Sequence, residues 1–242
     1  MHALSSLNLA IDTGEAVAFV GPSGSGKTTA LKLITGSVRP SRGQVLLYSQ
    51  DLSSHSPGEL RRLRSRIGFI HQELCLLPHL RVWQNILVGR LGRHSLPASI
   101  RNMIRPPRKI LEEIHHILSR VGIGEKIFQR THHLSGGQQQ RVAIARALFQ
   151  KPRILLADEP VASVDPARAQ NTVELLTQIS REQGLTLCMS LHNLDLARNF
   201  FQRLIGLRMG RIVFDQPAST IERSQWENLY QLNSPQRPPD VP

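Results

Sequence analysis

The 242-residue sequence predicts an α/β fold with a mainly parallel β-sheet, a small antiparallel part and an inserted α-helical segment. Short apolar runs, typical of buried strands, alternate with helical periodicity towards both ends of the chain. Between about residues 80 and 150 this alternation stops, and the pattern becomes helical and basic. Alternating strands and helices favour a parallel sheet covered on both faces, so the middle segment is predicted to be an insertion into that sheet.

Three apolar runs in the first 79 residues predict strands, at residues 16–20, 44–48 and 67–70. A helix is expected to begin at Lys27 and to end before Gly36. The sequence Ser56-Pro57-Gly58-Glu59 is typical of a helix start, because the serine can cap the backbone N–H of a glutamate three positions later. Pro57 suits the first helical position, which needs no N–H donor. A short basic helix is therefore predicted there.

The basic middle of the chain is predicted to form a helical subdomain over residues 80–150. One helix should begin at Pro107 and end at Gly122, because its apolar residues share one face. These residues are Ile110, Leu111, Ile114, Ile117, Leu118 and Val121. The stretch from Gly92 to Arg108 is rich in Pro and Arg and is predicted to be a loop. A long helix is expected from Gln139 to Gln150.

Strands and helices alternate again after residue 150. Strands are predicted at residues 154–158 and 186–191, with a helix at 166–183 and a hairpin joining 204–207 to 211–214. The prolines of residues 235–242 predict a disordered tail. No apolar stretch approaches the length of about 18 residues that spans a bilayer. Cys75 and Cys188 are too few for a disulfide framework, and two buried thiols in the cytosol are expected.

Positive charge is concentrated in two segments, residues 61–66 and 90–109. Lys and Arg number 30 against 18 Asp and Glu, a net charge of +12. Such an excess indicates nucleic acid, an anionic membrane surface or an anionic ligand. Aromatic residues make up only 5% and do not interleave with the arginines, as base stacking would require. A solvated basic face and a membrane-facing patch both remain open.

Residues 21–28, GPSGSGKT, fit the pattern G-x-x-x-x-G-K-[ST] between a predicted strand and a predicted helix. Glycines there let backbone N–H groups converge on phosphate oxygens, and the positive end of the following helix adds to the attraction. Lys27 should reach the β- and γ-phosphates of a nucleotide, and the Thr28 hydroxyl should bind Mg²⁺. The predicted P-loop site comprises Gly21, Pro22, Ser23, Gly24, Ser25, Gly26, Lys27, Thr28 and Thr29.

Two further motifs complete a predicted nucleotide site. An apolar strand ends in Asp158, expected near Mg²⁺, and Glu159, expected to orient or deprotonate the attacking water. The segment LSGGQ, residues 134–138, precedes a long helix and offers a second helix N-terminus suited to anions. One chain with two such helix ends and one nucleotide pocket predicts a head-to-tail pair. Each LSGGQ segment would then cover the nucleotide bound to the other subunit.

Together these motifs resemble those of the ABC ATPase family, and the resemblance covers almost the whole chain. The segment LSGGQQQRVAIARAL, residues 134–148, is similar to the family signature and its helix. The resemblance implies a P-loop NTPase core with an inserted helical subdomain, and ATP and Mg²⁺ as cofactors. It implies one ATP-binding domain, with a nucleotide-binding core at residues 1–79 and 151–232, the helical subdomain at 80–150 and a tail at 233–242.

The resemblance also implies further site residues. Gln72 matches the glutamine that links nucleotide state to the membrane partner, and His192 matches the histidine that contacts the γ-phosphate. Ser163-Val164-Asp165 matches the loop after the carboxylate pair, with Val where Leu is more usual. The implied catalytic residues are Glu159, His192 and Gln72. The implied nucleotide contacts outside the P-loop are Ser135, Gly136, Gly137, Gln138 and Asp165, and the implied metal ligands are Thr28, Gln72 and Asp158.

The N-terminus departs from the family pattern. The family usually begins with a strand and an aromatic residue that stacks on adenine, whereas no Tyr or Phe precedes Phe19 here. Either the natural protein is longer than this sequence, which we favour, or the subunit lacks the adenine stack. Loss of the stack would weaken ATP binding by about 1 kcal/mol.

Residues 85–92, NILVGRLG, and 156–166, LADEPVASVDP, resemble the ATPase subunits of phosphonate importers. This implies an ATP-hydrolysing subunit that powers import of phosphonates or related phosphorus oxyanions, such as phosphite and phosphate esters. The implied partners are a second ATP-binding subunit, membrane-spanning permease subunits and, indirectly, a solute-binding protein. The implied location is peripheral, on the cytoplasmic face of the inner membrane.

Two alternatives to a phosphonate importer stay open, an importer of polar amino acids and a nucleic-acid-associated ABC ATPase. Proteins of the second kind carry long coiled coils between the P-loop and the signature. Here Lys27 and Ser135 are only 135 − 27 = 108 positions apart, with no sustained heptads. No nucleic-acid partner is therefore expected.

Overall fold

The computed structural model of the chain describes residues 3–93, 96–162 and 165–230. The tail predicted at 233–242 lies outside these residues, as do Ser163 and Val164. Within the described residues the main sheet has the strand order β4-β5-β6-β1-β7-β8. Its strands are β1 Ala16–Val20, β4 Ile67–Ile70, β5 Ile154–Asp158, β6 Thr186–Leu191, β7 Arg203–Arg208 and β8 Arg211–Pro217.

The sheet is parallel from β4 to β7, and β8 returns antiparallel to β7 as the predicted hairpin. A separate antiparallel pair joins β2 Leu46–Leu47 to β3 Gln50–Asp51. The predicted α/β class, with a mainly parallel sheet and a small antiparallel part, is confirmed. The strand predicted at 44–48 is shorter than expected, because Tyr48 and Ser49 have φ angles of 52° and 62° and turn the chain.

Helices cover both faces of the sheet. They are α1 Lys27–Ile34, α2 Pro57–Arg64, α3 Val82–Val88, α4 Leu96–Ile104, α5 Arg108–Arg120, α6 Gly136–Phe149, α7 Pro166–Gln183, α8 Leu194–Phe200 and α9 Arg223–Tyr230. The capping box predicted before α2 is present, since Ser56 Oγ accepts from Glu59 N and Glu59 Oε2 accepts from Ser56 N. Gly36 follows α1 with a φ of 63°, as its predicted role as helix stop requires.

The prediction of a loop between Gly92 and Arg108 is wrong, because helix α4 occupies Leu96–Ile104. Pro97 lies in the first turn of α4, where a missing N–H is tolerated, and Pro106 and Pro107 follow its end. These prolines therefore mark the helix boundaries rather than excluding a helix. The predicted start of α6 at Gln139 is also wrong, because Ser135 caps the helix and its first residue is Gly136.

Alternate residues of the central strands pack into two cores on opposite faces of the sheet. In β1, Ala18 and Val20 join the core beneath the helical segment, whereas Val17 and Phe19 join the core next to α1. This alternation is expected for a strand buried on both faces. The two faces hold β1 rigidly, so the loop that follows it has a fixed starting point.

The apolar face predicted for α5 is confirmed. Ile114 and Leu118 are fully buried, Val121 is 1% exposed, and the remaining members of the face pack partly buried against the same core. The cysteine prediction is half right. Cys188 is buried, which raises the pKa of its thiol to about 12, whereas Cys75 is exposed. Among the described helices, none combines the length and apolarity that crossing a bilayer requires.

Substituting Ile114→Ala should lower the free energy of unfolding by about 2–5 kcal/mol, because it leaves a cavity in a closed core. Ile104→Ala is the matched control, since this isoleucine is 73% exposed and its loss should cost less than about 0.5 kcal/mol. Denaturant unfolding measures both. Equal losses for the two variants would contradict the assignment of α5 to the core.

Candidate nucleotide site

The loop between β1 and α1 has a backbone that glycine alone can adopt at Gly21. The φ of Gly21 is 147°, and a Cβ there would lie 2.0 Å from the carbonyl oxygen of Leu207. Gly24 and Gly26 also have positive φ angles, 76° and 107°. Ser25 is 2% exposed, and its Oγ has no hydrogen-bond partner among the described residues. A loop of this shape with an unsatisfied buried hydroxyl fits a bound phosphate group.

Lys27 begins α1 and is 4% exposed. Its Nζ donates to the carbonyl oxygens of Gly21 at 2.8 Å and Pro22 at 3.0 Å, and lies 3.7 Å from Glu159 Oε1. Burial lowers the pKa of Lys27, while the carboxylates of Glu159 and Asp158 oppose that effect. The ammonium group is therefore held between the loop and the two carboxylates.

Asp158, the last residue of β5, connects the start of α1 and the end of β6 through one oxygen atom. Its Oδ1 accepts hydrogen bonds from Thr28 Oγ1 at 3.0 Å and from Ser190 Oγ at 2.8 Å. Ser190 Oγ in turn accepts from the backbone N–H of Glu159 at 2.7 Å. Hydroxyl and carboxylate oxygens suit Mg²⁺, which proteins usually bind through one or two carboxylates together with substrate phosphates. Thr28 and Asp158 thus fit the metal role predicted for them.

Glu159 follows β5 with a φ of 46°, a left-handed conformation that is uncommon for a residue with a side chain. Its Oε1 lies 2.5 Å from Nε2 of His192, which follows β6. The Glu159 side chain is 13% exposed, whereas that of His192 is 38% exposed. The carboxylate is therefore largely shielded from water, and the imidazole connects it to the surface.

Gln72 makes no side-chain hydrogen bond within the described part of the chain. It is exposed and follows β4 by two residues, and Ile70 of β4 pairs with Ala157 of β5. The end of β4 is thus adjacent to the end of β5. The parallel register brings Gln72 to the same edge of the sheet as Asp158 and Glu159.

The signature residues occupy the exposed start of α6. Ser135 Oγ accepts from Gln138 N at 3.4 Å, and Gln138 Oε1 accepts from Ser135 N at 3.1 Å. A Cβ on Gly136 would meet nothing within 4 Å, so the backbone there is open. No hydrogen bond between described residues joins this segment to the P-loop. The structure of one chain therefore does not unite the two predicted halves of the nucleotide site.

Asp165 also lies at a helix start. Its carboxylate caps α7 by accepting from Arg168 N at 3.0 Å, and Arg168 Nε lies 3.2 Å from Asp165 Oδ2. The side chain of Asp165 is 52% exposed. It is therefore accessible to a second subunit, whereas its own chain gives it a capping role.

Two residues near the site were missed by sequence reasoning. Ser190 joins Asp158 to Glu159, and Tyr230 Oη donates to the carbonyl oxygen of His192 at 3.3 Å. The register of β5 and β6, which pairs Asp158 with Ser190, would have indicated the first. Tyr230 ends a short helix at the far end of the chain, and no sequence pattern pointed to it.

This fold and this site define a P-loop nucleotide-binding protein. Residues 4–162 match the ABC transporter family, and the chain belongs to that family. It is 44% identical over 229 residues to the phosphonates import ATP-binding protein PhnC 2 of Pseudomonas aeruginosa, covering 95% of this chain and 85% of that protein. The identity to PhnC 3 of Halalkalibacterium halodurans is 41% over 227 residues, or 94% and 87% of the two chains.

A solved structure with the same fold shows a nucleotide state. It is the dimeric, post-hydrolysis ATP-binding cassette MJ0796 bound to ADP and Pi, with a TM-score of 0.73 and 32% identity. The match covers 89% of this chain and 90% of that one. Together with the family membership, this agrees with ATP binding by the present chain.

Replacing Ser190 by Ala should slow ATP hydrolysis about tenfold with little loss of ATP binding, since it frees Asp158 and the Glu159 backbone from their shared partner. Ser180→Ala is a matched control. Ser180 is also buried, but its hydroxyl donates to the Leu185 carbonyl, away from the site. Steady-state hydrolysis and nucleotide titration separate the two effects. An equal loss of rate in the control would point to stability instead.

Proposed function

We propose that this chain is the ATP-hydrolysing subunit of an ABC importer for phosphonates or related phosphorus oxyanions. One observation carries the hydrolytic part of the proposal. The cluster of Thr28, Asp158 and Ser190 joins the P-loop to Glu159, whose carboxylate is shielded and bonded to His192. At one edge of the sheet, this arrangement brings together groups suited to bind phosphate, groups suited to bind a metal ion and a carboxylate suited to act as a base.

Each residue of the cluster has a role that its contacts support. Backbone N–H groups of the P-loop bind the β- and γ-phosphates, and Lys27 adds its positive charge to them. Thr28, Asp158 and Gln72 would hold Mg²⁺, which would neutralise charge on the phosphates. Glu159 accepts a proton from the attacking water, and His192 orients its carboxylate from 2.5 Å. The Lys27 ammonium lies 3.7 Å from Oε1 of the same carboxylate.

The proposed active form is a head-to-tail pair. The start of α6 and Asp165 are exposed and are not joined to the P-loop of their own chain by any hydrogen bond among the described residues. In the pair, Ser135, Gly136, Gly137 and Gln138 of one subunit cover the nucleotide bound to its partner. The dimeric structure of MJ0796 bound to ADP and Pi supports the formation of a pair. Closure of the pair moves permease subunits through contacts near Gln72 and the helical segment at 80–150.

The cargo and location rest on the relatives. Two proteins named as phosphonate import subunits are 44% and 41% identical to this chain over almost its full length. An import subunit of this kind acts at the cytoplasmic face of the inner membrane, bound to permease subunits that carry the cargo. A solute-binding protein would deliver the phosphonate from the other side. The ATPase subunit itself does not contact the cargo.

Exchanging Glu159 for Gln should reduce hydrolysis about 10²- to 10⁴-fold and trap an ATP-bound pair, because the proton acceptor is lost while the phosphate contacts remain. Lys27→Ala should lose nucleotide binding instead. Size-exclusion chromatography with ATP and a phosphate-release assay distinguish the two. Glu125→Gln, at an exposed position outside the site, serves as control. Normal hydrolysis by the Glu159 variant would rule out its role as base.

The cargo can be tested with the chain copurified with its native permease and reconstituted with the solute-binding protein. Phosphonates or phosphite should stimulate ATP hydrolysis severalfold, whereas phosphate and polar amino acids should have little effect. Stimulation by an amino acid alone would retain the importer and reject the cargo. If no membrane protein copurifies and DNA stimulates the ATPase, the transporter assignment itself is wrong.

A further inference from the structure

Helix α4 exposes two isoleucines to solvent while it buries polar side chains on its inner face. Its solvent face carries Ile100 and Ile104, which are 52% and 73% exposed. Its inner face carries Ser99 and Asn102, which are 7% and 6% exposed, and Ser99 Oγ and Asn102 Oδ1 have no hydrogen-bond partner among the described residues. Among the side chains that the structure describes on the inner face, only Met103 packs against the core, and the two isoleucines stay in solvent although apolar burial would favour turning them inwards.

Arginines accompany the exposed isoleucines on the same face. Arg101 and Arg105 are exposed, and the spacing of positions 100, 101, 104 and 105 places these side chains in adjacent rows of the helix. The result is a compact surface with a row of two isoleucines beside a row of two arginines. We refer to Ile100, Arg101, Ile104 and Arg105 as the α4 surface.

Further cations lie in the chain segment before α4 and in helix α2. Arg93 precedes α4 by three residues, a distance of about 11 Å at most. Its guanidinium donates to the Ser65 carbonyl at 2.6 Å, and Arg61 of α2 donates to the Gly92 carbonyl at 3.1 Å. The basic helix α2 is thereby joined to the short turn Leu91–Arg93 that precedes α4 in the chain. Arg108 beyond the other end is different, because Glu112 pairs with it at 2.8 Å.

The chemistry of this surface fits an anionic phospholipid bilayer better than other polyanions. The interfacial layer of a membrane presents phosphate groups to cations and, a few Å deeper, acyl chains to apolar side chains. Nucleic acid offers phosphates but no apolar layer for Ile100 and Ile104, and no aromatic residue lies on the α4 surface for base stacking. Arginine is also enriched at protein interfaces, so copurification of the permease with α4 variants is the readout that separates a protein partner from a membrane.

We infer that the α4 surface binds the headgroup region of an anionic membrane, with Ile100 and Ile104 inserted between lipids and Arg101 and Arg105 on their phosphates. This contact goes beyond the proposed function, since it requires neither nucleotide nor permease. It would orient the helical segment towards the bilayer next to the permease. A failure of lipid binding would leave the ATPase assignment unaffected, and an inactive ATPase would not affect vesicle binding.

Flotation of the full chain with lipid vesicles, without nucleotide, tests this inference. The chain should bind mixed phosphatidylglycerol–phosphatidylcholine vesicles at least tenfold more strongly than phosphatidylcholine alone, and added salt should weaken that binding. The double variant Arg101→Gln/Arg105→Gln should lose about tenfold in binding. Ile100→Ser/Ile104→Ser should lose a similar factor and become more salt-sensitive, because only the electrostatic part remains.

Matched controls remove the same groups elsewhere. Arg181→Gln/Arg198→Gln deletes two exposed arginines on α7 and α8, and Val38→Ser/Leu46→Ser deletes two exposed apolar side chains. Both controls should bind vesicles like the unmodified chain, and unchanged circular dichroism should show that every variant folds. Equal losses in the controls, or no preference for anionic vesicles, would overturn the inference. So would α4 variants that bind vesicles normally but no longer copurify the permease, since that would make the surface a protein interface.

Discussion

A single carboxylate oxygen, Asp158 Oδ1, holds together the elements on which the candidate site depends. It accepts from Thr28 at the start of α1 and from Ser190 near the end of β6, while its own backbone ends β5. Parallel strands bring their carboxyl ends to the same edge of a sheet, so this junction follows from the topology. Because Ser190 also binds the N–H of Glu159, the same junction fixes the residue proposed as the base. The same junction therefore determines where the nucleotide phosphates, the metal ion and the attacking water would lie.

Two backbone conformations limit what this edge of the sheet can accept. Gly21 lies so close to the Leu207 carbonyl that no side chain fits there, and Glu159 has a left-handed φ despite its side chain. Strain of this kind persists only where surrounding contacts hold it, and the bonds of Glu159 to Ser190 and His192 supply them. The rigid double-sided core around β1 supplies the corresponding support for the P-loop. Packing far from the nucleotide thus determines the geometry of the site.

Much of this could be predicted from the sequence, because the relevant signals are local. The P-loop, the Ser56 cap and the apolar face of α5 each depend on residues within a few positions of one another. Ser190 and Tyr230 could not be recognised in this way, since their contacts depend on strand register and on a distant helix. The prediction of a loop at α4 is wrong because proline has the same local pattern at a helix boundary as in a loop. The pairing of two subunits likewise remains a prediction, since it lies outside a single chain.

The central claim is that the strand ends of one subunit and the start of α6 of another form a single ATP-hydrolysing site. The most direct test is an experimental structure of the Glu159→Gln chain with ATP and Mg²⁺. We expect Mg²⁺ within about 2.1 Å of Thr28 Oγ1 and Asp158, and His192 beside the γ-phosphate. We also expect Ser135 of the second subunit to contact the same nucleotide. A nucleotide contacted by one chain alone, or metal bound away from Asp158, would contradict the central claim.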